Sequence, residues 1–348
     1  MATNKVTTNV IDMSGNTGGL VWAKGTEAQR PTGVAGDLRL NTTDSRLEYK
    51  DNSDWKRFSE GAASPSTDFE ADFLVVAGGG GGSSSVAGNI GGPGAGAGGL
   101  RTSFGSSSGG GSSNESKAGI ALSTSYTVTV GAGGNGASSN VDGADGSDSV
   151  FSTITSIGGG GGAKYQNAGR SGGSGGGVYA GVSIGSGTAN QGFNGGTTLS
   201  GSSGGAGGGA GAVGVTGSFS TKPDGGAGLA VSITGASVTY AGGGGGGQYE
   251  AETGGPGAGG SGVGGAGSSS SGAPGGNGVV NTGSGGGGGF TNSSTVTNGG
   301  GGASGIVIVR YPNTYTITVG AGLTSSTATD GSDKVTSFTA GTDTISFS

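Results

Sequence analysis

Cysteine and histidine are both absent from this 348-residue chain, and only 10% of its residues are charged. Without cysteine the chain has no disulfide, no thiolate nucleophile and no thiolate metal ligand. Without histidine it lacks the commonest general base and the commonest metal ligand. No constellation of acid, base and nucleophile is visible, so we expect a protein that is not an enzyme and that carries no cofactor.

Long apolar runs are missing as well. No stretch approaches the roughly 20 apolar residues that cross a bilayer as a helix, and no basic segment followed by an apolar run marks a secretory signal. The net charge of −6 argues against nucleic acid as a partner, because phosphate backbones attract basic surfaces. We therefore expect synthesis in a cytoplasm, without a signal peptide and without membrane insertion.

Glycine is abundant and unevenly distributed. Of the 94 glycines, 83 lie in residues 78–305, whereas residues 1–77 hold both tryptophans and 19 of the 36 charged residues. This shift in composition predicts four parts. They are a β module for attachment and oligomerisation (1–61), a linker (62–68), a glycine-rich domain (69–312) and a C-terminal β segment (313–348).

The first module reads as a small β-meander. Short alternating segments at 38–40, 47–49 and 55–58 are separated by turn-forming Asn, Asp, Ser and Thr residues. Three short strands are too few to form a stable core alone. We therefore expect Leu47, Tyr49 and Trp55 to pack against other copies of the module.

The rest of the chain carries β patterns and no helical period. The segment SYTVTVGAG at 125–133 returns as TYTITVGAG at 314–322, and each copy is followed by DGSD and a Ser/Thr-rich strand. The C-terminal segment is thus expected to repeat the 125–157 unit. The predicted strands are 73–77, 126–130, 150–157, 229–233, 237–241, 306–311, 315–319 and 335–339.

Pure glycine runs begin where predicted strands end, after Ala77, Ile157 and Ala241. A flexible linker has no reason to keep this arrangement. Glycine chains can instead adopt the polyproline II geometry and hydrogen-bond to neighbours on all sides, because no Cβ blocks close approach. We predict an all-β fold with a polyglycine II helix bundle, a glycine-rich sandwich. Gly160 and Gly244 should then reject a side chain, whereas flanking Gly259 should tolerate serine.

Five motifs, in this order, carry a family resemblance: FLVVAGGGGG, SYTVTVGAGG, GSDSVFSTITSIGGGGG, GLAVSITGASVTYAGGGGGG and SGIVIVRYP. Together they cover about 73–312 and resemble the glycine-rich domain that recurs in tail-fibre and adhesin-like proteins of bacteriophages. The polyglycine II sandwich of adhesins at the fibre tips of T-even-like phages is a related architecture. The segment after Pro312 departs from the usual family end.

The N-terminal RPTGVAGDLRLNTTDSRLEYKDNSDWKRF also resembles a module common in phage fibres. The two resemblances imply a location in the virion. They imply a homotrimer, because fibres with a similar module are trimeric, and attachment to other virion tail proteins through the first module. The partner at the other end would be a host-surface receptor, a glycan or an outer-membrane protein.

The sequence bears on two classes of ligand site. A phosphate-binding loop needs Gly-Lys-Ser/Thr before a helix, and no Gly-Lys pair occurs. The DGADGSD segment brings Asp142, Asp145 and Asp148 close together, as a calcium site would. The EF-hand order is missing, so solvated turn residues are the favoured interpretation and calcium stays the alternative.

Side chains between the glycine runs are the candidates for receptor contact. Aromatic residues beside polar or charged ones combine rigid contact area with adaptable hydrogen bonding. Phe219 and Phe290 are expected instead to shield the ends of the bundle. The candidates are Lys164, Tyr165, Arg170, Tyr179, Phe193, Tyr249, Glu250 and Glu252.

Three functions follow from these observations. The first is a tail fibre or receptor-binding adhesin, whose glycine domain presents loops to a host surface. The second is a purely structural fibre or decoration protein without receptor contact. The third is an ice-binding polyglycine II protein, which is disfavoured because the sequence has no regular threonine or alanine array.

Overall fold

The computed structural model describes residues 23–30, 32–35, 37–43, 46–50, 54–57, 68–84, 90–199, 203–250, 253–269, 272–292 and 294–348. Contacts divide the chain into two compact units, 1–66 and 67–348. The described residues contain strands, extended segments and three single 3-10 turns, and no α-helix. The prediction of an all-β chain is confirmed.

The N-terminal unit is a four-stranded sheet. Strand β1 (Ala23–Gly25) runs parallel to β2 (Leu38–Asn41), which continues antiparallel through β3 (Arg46–Lys50) and β4 (Trp55–Arg57). Strands β2 to β4 are the predicted meander. β1 was not predicted, because AKG has no strand pattern of its own.

The buried side of this small sheet is polar. Glu48 is fully buried and accepts hydrogen bonds from Arg30 at 2.5 Å and from Asn41 at 2.8 Å. Arg39 lies 3.9 Å from the Glu48 carboxylate, and its guanidinium stacks on Trp55 at 5.7 Å from the ring centroid. The hydrogen bond from Arg30 lowers the pKa of Glu48.

This packing corrects one expectation for the module. Trp55 is only 8% exposed within a single chain, so it does not need another copy for its burial. The guanidinium of Arg39, which also faces Glu48, covers the Trp55 ring. Val34 is 71% exposed, Leu47 39% and Leu38 37%, so these apolar side chains are open to contact.

The second unit is built on a ten-stranded sheet with β5 (Phe69–Val76), β13 (Ile306–Pro312) and β16 (Asp333–Phe347) at its centre. β13 pairs antiparallel with both of the others. The further strands of the sheet are β6 (Leu100–Thr102), β7 (Ala118–Ile120), β8 (Tyr126–Thr129), β9 (Ser149–Phe151), β10 (Ile154–Ser156), β14 (Ile317–Val319) and β15 (Leu323–Asp330). A separate hairpin joins β11 (Leu229–Val231) and β12 (Val238–Tyr240).

The segment 150–157, predicted as one strand, is a hairpin formed by β9 and β10. Its turn is made at Ser152, whose φ of 55° is in the left-handed region. Residues 313–348 supply β14, β15 and β16 to the large sheet, and β16 lies between β13 and β8.

Apolar side chains cover both faces of the central strands. Phe73 and Val75 of β5 belong to one core cluster, and Leu74 and Val76 belong to the other. Successive side chains of a strand point to opposite faces, so a strand buried on both sides needs a continuous apolar run. FLVV and IVIV meet that need.

The run 78–83 shows how the glycine segments pack. Successive N–H groups donate at 2.8–3.0 Å to three different neighbouring segments. Residues three positions apart donate to the same segment. The carbonyl groups of the run accept in the same pattern from three further segments. The donors face 144–147, 300–303 and 93–96, and the acceptors face 159–162, 134–137 and 286–289.

One segment therefore lies inside a ring of six others. A period of three is that of an extended helix with three residues per turn, which has no hydrogen bonds of its own and directs its polar groups outward. The run 242–247 has the same surroundings, with donors toward 223–226, 92–95 and 265–268 and acceptors toward 204–207, 285–288 and 257–260. Backbone groups that would otherwise be buried without partners are thus satisfied.

Missing Cβ atoms are what permit this packing. A Cβ on Gly160 would collide with the carbonyl of Arg170, and one on Gly244 would collide with the carbonyl of Gly286. Both positions agree with the expectation that they reject side chains. The expectation for Gly259 is wrong, because a Cβ there would collide with the carbonyl of Gly264.

The segments alternate in direction, so the chain reverses at two opposite ends of the bundle. Segments that leave the sheet strands, such as 158–163 after β10, run parallel to 78–83, and those that lead into strands, such as 142–148 before β9, run antiparallel to it. We call the end opposite the sheet the distal end. Its reversals include 137–142, 164–168, 179–183, 218–222, 249–250, and 290–292 with 294–296.

Neighbouring glycines provide a matched test of this packing. A Cβ on Gly300 would collide with the carbonyl of Gly276, whereas one on Gly301 would lie 3.6 Å from its nearest neighbour, the Asn277 side chain. We expect Gly300→Ala to cost about 3 kcal/mol or more, or to abolish soluble expression. Gly301→Ala should stay within about 0.5 kcal/mol of the parent. Thermal unfolding of both full-length variants measures the difference, and equal stability would contradict close packing.

Acid should weaken the N-terminal unit through Glu48. Its pKa is lowered by folding, so its carboxylate stabilises the unit above the unfolded-state pKa of about 4.3, and this contribution is lost as the pH falls through the lowered value. Both tryptophans lie in this unit, so tryptophan fluorescence reports on it. Glu48→Gln should lower stability at pH 7 and flatten the acid dependence. An acid transition unchanged in this variant would exclude Glu48 as its origin.

Candidate functional site

The distal end collects most of the predicted contact residues. Lys164 and Tyr165 lie on one distal reversal, and Tyr249 and Glu250 lie on another. Phe193 is apart from them, because its ring lies near Gly111 beside the sheet. Glu252 lies outside the described residues.

Tyr165 and Tyr179 form an aromatic pair. Their ring centroids are 5.5 Å apart with the planes at 77°, an edge-to-face contact. Tyr165 is 43% exposed, but Tyr179 is only 1% exposed and burial raises the pKa of its hydroxyl. The expectation that Tyr179 contacts a receptor is corrected: its ring supports Tyr165 from below and is not itself presented.

Tyr249 and Glu250 are anchored to a second reversal. Tyr249 forms a backbone bridge with Thr291, and the N–H of Glu250 donates to the Thr291 carbonyl at 3.1 Å. Thr291 in turn bridges Val296. The exposed Glu250 carboxylate therefore stands on two connected reversals and not on a single isolated loop.

Several exposed apolar residues of the distal end were not predicted as contacts. Phe219 is 53% exposed, so the expectation that it shields the bundle is wrong, while Phe290 is 5% exposed and does shield it. Leu199 is 69% exposed, and Val141 49%. The sequence signal that identifies such residues is a single large apolar residue among the glycine and small polar residues of a reversal.

The three aspartates of DGADGSD form a ladder along the edge of the bundle. Asp142 accepts from the N–H of Lys164 at 2.7 Å, Asp145 from Gly161 at 2.9 Å and Asp148 from Gly158 at 2.7 Å. The three aspartates are spaced three residues apart, and so are the three residues that donate to them. This spacing equals the period of the packed segments. The backbone of the aspartate segment donates to the carbonyls of Gly159 and Gly162, and its carboxylates accept from the N–H groups between them, so they are more than solvated turn residues.

Arg170 pairs with two of these aspartates, Asp145 and Asp142. Its Nε donates to Asp145 at 2.6 Å, a second guanidinium nitrogen pairs with the other oxygen, and Asp142 lies 3.8 Å away. The hydrogen bond to Asp145 raises the pKa of Arg170. Within the described ranges, no group of three or more acidic residues has the arrangement of a metal site. Arg170 thus has a structural partner and is less available to a receptor than its sequence position implies.

One finding concerns membranes. Within the described part of the chain, no helix is long and apolar enough to span a bilayer.

Comparison with known proteins gives a family. A family model described as a glycine-rich domain matches residues 59–312. The chain belongs to the glycine-rich domain family. No curated protein matches it.

The family match ends at the last residue of β13, yet this glycine-rich domain does not end its sheet there. Phe338, Ile345 and Phe347 of β16 are buried in the same core cluster as Phe73 of β5. The C-terminal segment therefore completes the core on which the glycine segments stand.

The aspartate ladder gives a test that separates structure from ion binding. Asp145→Ala removes the acceptor of Gly161 and the partner of Arg170, and should cost about 1–2 kcal/mol. The ion pair is partly exposed and contributes little of this. Asp145→Asn keeps an amide oxygen for Gly161 and should cost less. Thermal unfolding with calcium and with a chelator should give the same midpoint. A calcium-dependent midpoint that Asp145→Asn abolishes would contradict the structural role.

Proposed function

We propose that the chain is a non-enzymatic bacteriophage virion protein, a tail fibre or receptor-binding adhesin that presents distal loops to the host surface. Its glycine segments act as a polyglycine II scaffold. Residues 1–61 attach it to other tail proteins and to further copies of the chain, as a homotrimer, with exposed Leu47 at the contact. The receptor is a surface glycan or an outer-membrane protein.

One observation carries this proposal: chain reversals bring side chains that are distant in sequence to a single end of the bundle. The interior segments offer only backbone, and that backbone is already hydrogen-bonded. Recognition needs side chains, and the reversals opposite the sheet hold exposed Tyr165, Phe219 and Glu250. Aromatic side chains on rigid supports give contact area at low entropic cost.

The scaffold supports this role physically. Loops on a rigid framework lose little conformational freedom on binding. Each inner glycine segment is held by six neighbours, and the sheet closes the opposite end with a two-sided apolar core. The Tyr165 ring is further held by the buried Tyr179 ring, so it is presented in a defined orientation.

Binding to host cells should depend on the distal side chains. Labelled full-length protein is applied to a panel of bacterial strains, and the strain that retains it is used to compare Tyr165→Ala, Phe219→Ala and Tyr249→Ala. Loss of one central contact should weaken binding by roughly thirtyfold, equivalent to about 2 kcal/mol. Each variant should stay folded, because the truncated side chains lie on reversals. Tyr165→Ala also loses its edge-to-face contact with Tyr179, which costs about 0.5–1.5 kcal/mol.

Val280→Ala is the matched control. Val280 is 73% exposed on a reversal at the sheet end, so its loss should leave binding unchanged. Antibody labelling of virus particles then asks whether the chain is part of the virion. If particles carry the chain but all three distal variants and their combination bind like the parent, a purely structural fibre replaces the adhesin. Particles without the chain would overturn both.

A further inference from the structure

A polar cavity of about 520 Å³ opens on the second unit where the turn 188–191 meets β6. This volume is in the range of pockets that hold small ligands. None of the distal reversals contributes to the cavity. Its lining consists of Arg101, Ser112, Ser113, Glu115 and residues 189–191.

Hydrogen bonds fix the segments around this cavity. The carbonyl of Gln191 accepts from the N–H of Leu100 at 3.1 Å, and its side-chain oxygen accepts from the N–H of Ile157 at 2.8 Å. The turn is therefore tied to β6 and to the end of β10. The N–H of Glu115 donates to the carbonyl of Thr102 at 2.9 Å. The cavity is thus preformed, and a ligand pays little to order it.

An ion pair forms part of the lining. The Nε of Arg101 donates to one oxygen of Glu115 at 2.9 Å, and Nη2 donates to the other oxygen at 2.5 Å. Both side chains are 27% exposed. The pair cancels its own charge, yet the guanidinium keeps further N–H groups and each carboxylate oxygen keeps a lone pair for a ligand.

Two uncharged polar side chains at the cavity have no partner. Within the described part of the chain, neither the amide of Asn190 nor the hydroxyl of Ser113 hydrogen-bonds to the protein, and both residues are exposed. The φ of Asn190 is 62°, in the left-handed region that asparagine enters more readily than most residues. The turn thus places both donor and acceptor atoms at the cavity.

A second cavity, of about 450 Å³, meets the first at Glu115. Its polar lining includes Lys117, Ser152 and Thr153. Lys117 is paired with Asp72, at 2.9 Å between Nζ and a carboxylate oxygen, so its charge is compensated as well. We call the two cavities together the Glu115 groove. The groove has room for more than one unit of a chain-like ligand.

The lining of the Glu115 groove selects one class of ligand. An apolar ligand would cover the ion pair and the Asn190 amide without giving them hydrogen bonds, which is costly. An anion would meet an arginine that is already paired with a carboxylate. A neutral ligand rich in hydroxyl groups can donate to the carboxylate and accept from the guanidinium and the amide.

Phe193 adds an apolar surface beside the groove. This half-exposed residue was predicted as a contact but lies apart from the distal end. A Cβ on Gly111, the residue before Ser112, would lie 3.3 Å from its ring. An aromatic ring next to neutral polar groups suits a sugar, whose ring has an apolar C–H face and a rim of hydroxyls.

We propose that the Glu115 groove binds a neutral oligosaccharide. The sugar hydroxyls bond to the Arg101–Glu115 pair and to Asn190. This site is separate from the distal loops and does not depend on their contacts with a host receptor.

Binding is measured by applying the labelled full-length protein to immobilised neutral glucans, mannans and galactans, with acidic oligosaccharides for comparison. The parent should be retained by at least one neutral member and not by the acidic ones. Asn190→Gly removes the amide, while glycine adopts the left-handed turn freely. This variant should bind the retained oligosaccharide about tenfold more weakly or worse.

Asn140→Gly is the matched control. Asn140 is also exposed with a positive φ, 21°, but it lies on a distal reversal. It should bind like the parent, and both variants should stay folded. Glu115→Gln leaves the charge of Arg101 uncompensated, so it should weaken binding of the neutral member and increase binding of the acidic ones.

Four results would overturn the proposal. They are a folded parent that no neutral member retains, equal binding by Asn190→Gly and Asn140→Gly, an unchanged preference in Glu115→Gln, and binding that Tyr165→Ala abolishes but Asn190→Gly leaves intact. The last result would place the oligosaccharide at the distal end, so it would support the adhesin while removing the Glu115 groove.

Discussion

Backbone-to-backbone hydrogen bonding without an intervening Cβ is the interaction on which the second unit depends. An ordinary strand pairs with two neighbours in one plane, because its side chains occupy the other directions. A glycine segment has no such restriction, and 78–83 bonds to six neighbours. Fixing glycine costs more backbone entropy than fixing any other residue. The dense set of hydrogen bonds, each contributing about 0.5–1.5 kcal/mol net, offsets that cost.

Such a bundle needs a boundary that fixes its register, since glycine runs are identical along their length. The sheet provides it. Strand β5 leads into 78–83 and β13 follows 297–305, so the two-sided apolar core determines where neighbouring glycine segments begin and end. At the exposed edge, Asp142, Asp145 and Asp148 take over as acceptors for segment 158–164 with the same three-residue step. At this edge, side-chain carboxylates thus supply part of the acceptor set that backbone carbonyls supply in the interior.

The same constraint separates scaffold from recognition. Interior segments exclude side chains, so chemistry is confined to the distal reversals and to the solvent side of the sheet. The distal end carries exposed aromatic groups such as Tyr165 and Phe219 beside charged residues such as Lys222 and Glu250.

Composition and local pattern alone determined the all-β class, the predicted strands and the exclusion of side chains from glycine runs, because each depends on short-range chemistry. Tertiary structure alone decided which reversals share an end, and it buried Tyr179 beside Tyr165 although both have similar sequence surroundings. Tertiary structure also decided that different structures follow the two copies of the repeat, 125–133 and 314–322. The glycine-rich residues 131–137 after the first copy hydrogen-bond to three other glycine-rich segments, whereas the β-branched residues after the second copy form β15. Neighbours in space are set by the register of many equivalent hydrogen bonds, and no single segment of sequence contains that register.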